Sequence, residues 1–120
     1  MKIFLLALLI GAIAGLAGAL LGVGGGIIMV PAFTLALGME QKSAVATSLA
    51  IVVITASIGT ANHVYNKTEL IDWRLVGLTA GGAAIAAWLG SDLMRTLSNQ
   101  HLTRVFGLVM VLIGIRMLWK

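Results

Sequence analysis

Between two uncharged apolar stretches, Ile3 to Leu21 and Ile27 to Leu37, the chain runs Gly22-Val23-Gly24-Gly25-Gly26 before Ile27-Ile28-Met29-Val30-Pro31. Four glycines in five positions would read as a turn or linker in water. Flanked by apolar helices, they constrain the fold much more tightly. Backbone at membrane depth must satisfy its own hydrogen bonds, so an irregular segment survives there only inside protein or beside a wet cavity. The glycine N–H groups and the N-terminus of a helix beginning near Ile27 would form an anion-attracting nest. Two soluble readings fail. The run lacks the last glycine of the dinucleotide fingerprint and the Gly-Lys-Ser/Thr of a phosphate loop.

Composition sets the environment of this break. Of 120 residues, 60% are hydrophobic and 10% charged, and the mean hydropathy is +1.08. A soluble domain of this size has no interior large enough for so much apolar surface, so the sequence predicts an all-α integral membrane protein. The formal charge of +4 contains no basic run, which disfavours a nucleic-acid partner. With no cysteine, disulfides and thiolate metal sites are excluded. Met1-Lys2 before an apolar run ending near Ala17-Gly18-Ala19 has the outline of a secretory signal. The run is too long for a signal core, and its glycines recur at helical spacing.

The expected architecture is a helical bundle: a glycine-broken hairpin of one transmembrane helix and a short half-helix, followed by three transmembrane helices. The bounds read from the sequence are 3–21, 27–37, 43–66, 73–94 and 104–119. Gly11, Gly15, Gly18 and Gly22 fall on one face of the first helix, where they would admit close packing by another. The second helix, about 16 Å long, is half a bilayer. With an extended glycine run it would recross; otherwise the segment is re-entrant. Pro31 weakens its early hydrogen bonds. Ser43 is a candidate N-cap for the third helix and Asp72 for the fourth. The third helix carries a stripe of Ser48, Val52, Thr55, Gly59, Asn62 and Asn66, with Thr47 and His63 beside it. Such polar groups either pair with another helix or line a pathway. Gly77, Gly81 and Gly82 give the fourth helix a small-residue face, and His101 is expected in a solvated loop.

The polar interior holds donors and no acids. Glu40, Glu69, Asp72 and Asp92 all fall in or beside predicted loops, so a cation exporter, which needs an intramembrane carboxylate, is disfavoured. Glycine N–H groups, helix N-termini, hydroxyls, Asn62 and a His63 able to gain a proton near neutral pH suit an anion.

The glycine break, Pro31, Ala46-Thr47-Ser48-Leu49, His63 and Ile71-Asp72-Trp73 occur in the order seen in the TauE/SafE sulfite-exporter family of membrane anion transporters, which the chain resembles over about residues 10 to 118. The resemblance implies a multi-pass protein of the cell membrane (plasma or inner), without enzymatic activity or cofactor. Its cargo would be a small anion such as sulfite, a sulfonate or a related organic acid, usually exported. By position, Gly22, Gly24, Gly25, Gly26 and Pro31 would form the broken-helix element. Thr47, Ser48, Asn62 and His63 would add polar contacts to the substrate; no metal ligand is implied. A channel and a non-transporting membrane scaffold are the alternatives. Family members have two related halves, and this chain looks like one.

A homodimer restoring an inverted repeat is therefore expected. If residues 22–37 recross, Lys2, Lys42, Arg95 and Arg104 oppose Lys67, Arg74, Arg116 and Lys120. Four against four leaves the positive-inside rule without a preference and favours an antiparallel pair. If they are re-entrant, Lys2, Lys67, Arg74, Arg116 and Lys120 oppose Lys42, Arg95 and Arg104, which favours a parallel one.

Overall fold

The computed structural model describes every residue except Thr68. It holds five helices: α1 Lys2–Leu21, α2 Gly26–Ala36, α3 Gln41–Tyr65, α4 Trp73–Thr96 and α5 Asn99–Leu118. All but α2 are long and apolar enough to cross a membrane. The all-α membrane architecture expected from the sequence is the one observed, a glycine-broken hairpin followed by three long helices.

The break is a compact turn. Gly22, Gly24 and Gly25 have φ of 68°, 68° and 75°, the left-handed region that favours glycine. Gly22 caps α1, donating its N–H to Gly18 O at 2.9 Å, and Gly25 is the N-cap of α2. These turns take the place of the extended run expected for a recrossing segment: left-handed residues curl the chain, and α2 still returns towards the end where α1 begins. α2 folds back along α1: Ile10 and Ala14 of α1 share a core with Met29, Val30 and Phe33 of α2 and Ala44 of α3. Gly24 lies against Val52, near the middle of α3. About 16 Å of helix separates Gln41 from Val52, and about 20 Å separates Val52 from Tyr65. If α3 spans the bilayer, the break lies close to mid-depth.

Glycine packing is narrower than the α1 pattern implied. A Cβ at Gly18 would stand 2.7 Å from Gly25 N, and one at Gly25 would stand 2.7 Å from Ala14 O. Gly11, Gly15, Gly22, Gly77, Gly81 and Gly82 meet nothing within 4 Å, so neither expected glycine face is filled within this chain. Of the α1 glycines only Gly18 makes a close approach, to the backbone of Gly24 and Gly25.

Helix termini differ from expectation in two places. α3 starts at Gln41 with Glu40 as N-cap, so Ser43 lies inside the helix. The N–H of Lys42 is taken by Asn99 Oδ1 at 3.1 Å, and Lys42 Nζ donates to Arg95 O. α5 starts at Asn99, not 104, because Ser98 caps it: its hydroxyl accepts from His101 N–H and lies 2.6 Å from His101 Nδ1. His101 is thus in the first turn of α5, outside the loop expected for it. Asp72 does cap α4, accepting from Arg74 and Leu75 N–H at 3.1 Å each.

The Lys42 contacts join the start of α3 to the end of α4 and the start of α5. With the α1–α2 hairpin, they bring Lys2, Lys42, Arg95 and Arg104 to one end of the bundle. Lys67, Arg74, Arg116 and Lys120 fall at the other. Among the described residues, α4 and α5 have no buried residue.

Because the close approaches at Gly18 and Gly25 are to backbone, a methyl group at either position must push α1 and the turn apart. Gly18→Ala and Gly25→Ala are expected to lose about 1–3 kcal/mol each. Gly11→Ala, in open space, is expected to be neutral or to gain up to about 1 kcal/mol of helix propensity. Thermal unfolding in detergent checks this ordering; equal effects at the three positions would refute the packing.

Candidate functional site

α1, the glycine turn and the second half of α3 enclose a cleft of about 230 Å³. Gly15, Gly18 and Gly22 form one wall and Gly24 the inner end; Thr55, Gly59, Thr60 and His63 of α3 form the other wall. The volume lies below the roughly 300–1,000 Å³ of drug-sized pockets and fits a small ion with part of its water. A broader depression along Ala56, Ser57, Ala61 and Tyr65 is shallow and mostly apolar.

The glycines keep this space open. Gly15 and Gly59 line the cleft, and a β-carbon at either would have no neighbour within 4 Å. At the turn, Ile28 and Met29 N–H both bond to Gly25 O. The N–H groups of Gly24, Gly25, Gly26 and Ile27 donate to no protein acceptor among the described residues, as expected at a helix N-terminus. These are positive dipole ends, and no carboxylate lines the cleft. Thr55 Oγ1 donates to Val52 O at 3.2 Å, which turns its lone pairs outward.

The structure brings together some of the residues singled out in the sequence. Gly22, Gly24 and His63 line the cleft. Gly25 is buried between α1 and Met29, and Gly26 lies beside Val52; both shape the turn without lining the cleft. Pro31 is further along α2, where it leaves the Ile27 carbonyl without its i+4 donor; Thr34 Oγ1 bonds to the Val30 and Pro31 carbonyls there. Ser48 is buried below the cleft, its hydroxyl spent on Val45 O. Thr47 points outward on α3. Asn62 is exposed and holds Asn66 through its Oδ1 at 2.8 Å. Thr60, outside the expected stripe, also lines the cleft. The four-residue spacing of Thr55, Gly59 and His63 continues the face of Ser48 and Val52, and Thr60 lies next to Gly59 on its flank.

The family model described as "Sulfite exporter TauE/SafE" matches residues 2–120. The chain belongs to the TauE/SafE family. It is 34% identical over 128 residues to a "Probable membrane transporter protein" of Xylella fastidiosa, a match covering 100% of this chain and 44% of that protein. The "Probable membrane transporter protein YunE" of Bacillus subtilis is 28% identical over 115 residues, covering 96% of this chain and 40% of the relative. The chain therefore spans less than half the length of these TauE/SafE relatives. No solved structure matches it. Family and helices together make it a multi-pass membrane protein.

The absence of native cysteine allows a clean test of the cleft. Cysteine at Thr60 is expected to react with a water-soluble thiol reagent at least about tenfold faster in detergent than cysteine at Ser48, which is 3% exposed. Equal rates would show that the cleft is closed.

Proposed function

We propose that this protein is a non-enzymatic transporter of the cell membrane that exports small anions, sulfite or sulfonates among them, through the cleft beside the glycine turn. The observation that carries this reading is the donor character of the cleft. The backbone of Gly24 at the turn, the Thr60 hydroxyl and the His63 imidazole line it, with no acid among the lining residues. Half-helix N-termini aimed at anionic groups are a recurrent transporter device. Names and family point to transport in relatives twice as long, and the cleft supplies a site chemically suited to such a cargo.

The experiment is flux of sulfite or sulfoacetate from proteoliposomes. Gly59→Leu places a side chain in the cleft, with its β-carbon in open space, and improves helix propensity. It is expected to reduce flux at least about tenfold while thermal stability is held or raised. Undiminished flux in that variant would sink the assignment. Saturable flux with counter-exchange marks a carrier; flux without either marks a channel.

We further propose that the transporting unit is an antiparallel homodimer. Relatives of which this chain covers 40% and 44% have room for two such units. The uncovered apolar faces of α4 and α5 give a second unit somewhere to pack. The four-and-four charge partition supports insertion in both senses. A single cysteine replacing Lys120, labelled by an impermeant reagent in intact cells, is expected to react in about half the chains. All or none would rule out the antiparallel form.

A further inference from the structure

His63 stands at the outer end of the glycine cleft. Thr55, Gly59 and His63 follow at four-residue steps along the α3 face that lines it. About 16 Å of helix separates Val52, beside the turn, from His63, close to half the thickness of a hydrocarbon core. With α3 spanning the bilayer, the cleft runs from mid-depth at Gly24 towards the membrane surface at His63. The imidazole is exposed, so an anion in the cleft can reach it. An ionisable group on a membrane-facing helix is costly to keep without a use.

The surroundings of His63 leave its charge free to respond to a ligand. It is the one titratable side chain among the residues lining the cleft. Facing it, α1 carries a single ionisable side chain, Lys2, at its far end, and the glycine turn and α2 carry none. Lys67 and Glu69, after α3, line a separate depression with Val64, and Tyr65 faces the shallow one with Ala61. Asp72 and Arg74 start α4 and Arg116 ends α5 at the same end of the bundle; none of the three lines the cleft. No carboxylate is there to hold the imidazole permanently charged, and no fixed cation is there to replace it. His63 also lies in the last turn of α3, where the carbonyl ends of the helix dipole tolerate a positive charge.

We propose that His63 is a proton site built into the glycine cleft, through which the cleft takes its anion together with a proton. The proposal rests on the reading of the cleft as an anion site and adds the ion that accompanies the cargo. The proton comes from water at the surface where the cleft opens, forms an N–H bond on the imidazole, and returns to water when the anion leaves. Imidazolium offers two N–H donors and a charge where neutral imidazole offers one donor. Anion and proton therefore favour each other in the cleft. Reciprocity requires acid pH to tighten anion binding by the factor by which the anion tightens proton binding.

The test uses the full chain in neutral detergent and methanesulfonate, whose charge is constant over the pH range, titrated calorimetrically at fixed ionic strength. Binding is expected to be about tenfold tighter at about pH 5.5 than at about pH 8.5, across the range in which imidazole changes charge. Near neutral pH, the heat of binding is expected to differ between buffers of different ionisation enthalpy, which reports proton uptake. His63→Gln is expected to bind at every pH with the weaker, alkaline affinity and to take up no proton. His63→Arg, with a permanent charge, is expected to keep the tighter affinity at every pH. A wild type whose affinity ignores pH, or a His63→Gln variant that retains the wild-type pH dependence, would overturn the proposal and leave the anion site standing. If the wild type binds methanesulfonate at no pH, or Gly59→Leu binds it as the wild type does, the anion reading of the cleft fails and the proton site fails with it.

Discussion

Contact between the backbones of α1 and the glycine turn is the constraint on which the rest of the structure depends. Gly18 and Gly25 approach so closely that a β-carbon at either would lie 2.7 Å from a backbone atom of the other segment. This approach folds α2 back along α1 and fixes the start of α2 opposite Val52. It also creates the cleft, because the same missing side chains that admit the turn leave empty space beside Thr55 and Gly59. In water the conformational entropy of so many glycines would oppose such a turn. In a membrane, the cost of unsatisfied backbone elsewhere makes a protein-lined notch one of the few places it can exist.

Much of this was legible in the sequence, for identifiable reasons. The glycine run interrupts an apolar stretch that otherwise has no reason to break, and Asp72 stands immediately before a helix it caps. Fold class followed from composition alone. Other features depend on contacts that no local pattern encodes. Ser43 has the chemistry of a cap, yet Lys42 and Asn99, 57 residues apart, form the bond that orders the start of α3. The polar segment after Ser91 reads as loop by composition, but one serine at position 98 is enough to start α5 at Asn99. Asn62 and Asn66 belong to the stripe expected on α3 with Thr55 and Gly59, and His63 was expected beside it. Their mutual hydrogen bond and exposure turn them aside, while His63 completes the cleft wall. Gly11 and Gly15 show the limit of the glycine pattern: spacing identifies a face without saying whether a neighbour or empty space lies on it.

The uneven burial of the helices follows from the solvent. The buried core, Ile10, Ala14, Met29, Val30, Phe33 and Ala44, comes entirely from α1, α2 and α3. In water, an uncovered helix such as α4, with Leu75, Leu78, Ile85, Trp88 and Leu89 exposed, would drive collapse or aggregation. In lipid that drive is absent, and helices are held by close packing and polar contacts. The two Lys42 contacts and the Asp72 cap therefore matter more for α4 and α5 than their number suggests. They anchor the ends of helices whose flanks remain available to lipid or to another copy.

Placement of charge along the bundle sets the physical character of the glycine cleft. Formal cations are confined to the ends, and the glycine cleft at mid-depth offers dipoles, hydroxyls and one imidazole. A permanent cation in that low-dielectric interior would carry a large desolvation cost, and once paired with an anion would release it slowly. Neutral donors attract an anion more weakly and stay tolerable when the site is empty, as conduction and transport require: binding strong enough to enter and weak enough to leave. At the end of the bundle, water screens the charge of Arg104. A gradient from formal charge at the ends to neutral donors at the centre is thus the arrangement in which an anion would gain attraction where it is hydrated and lose it where retention would trap it.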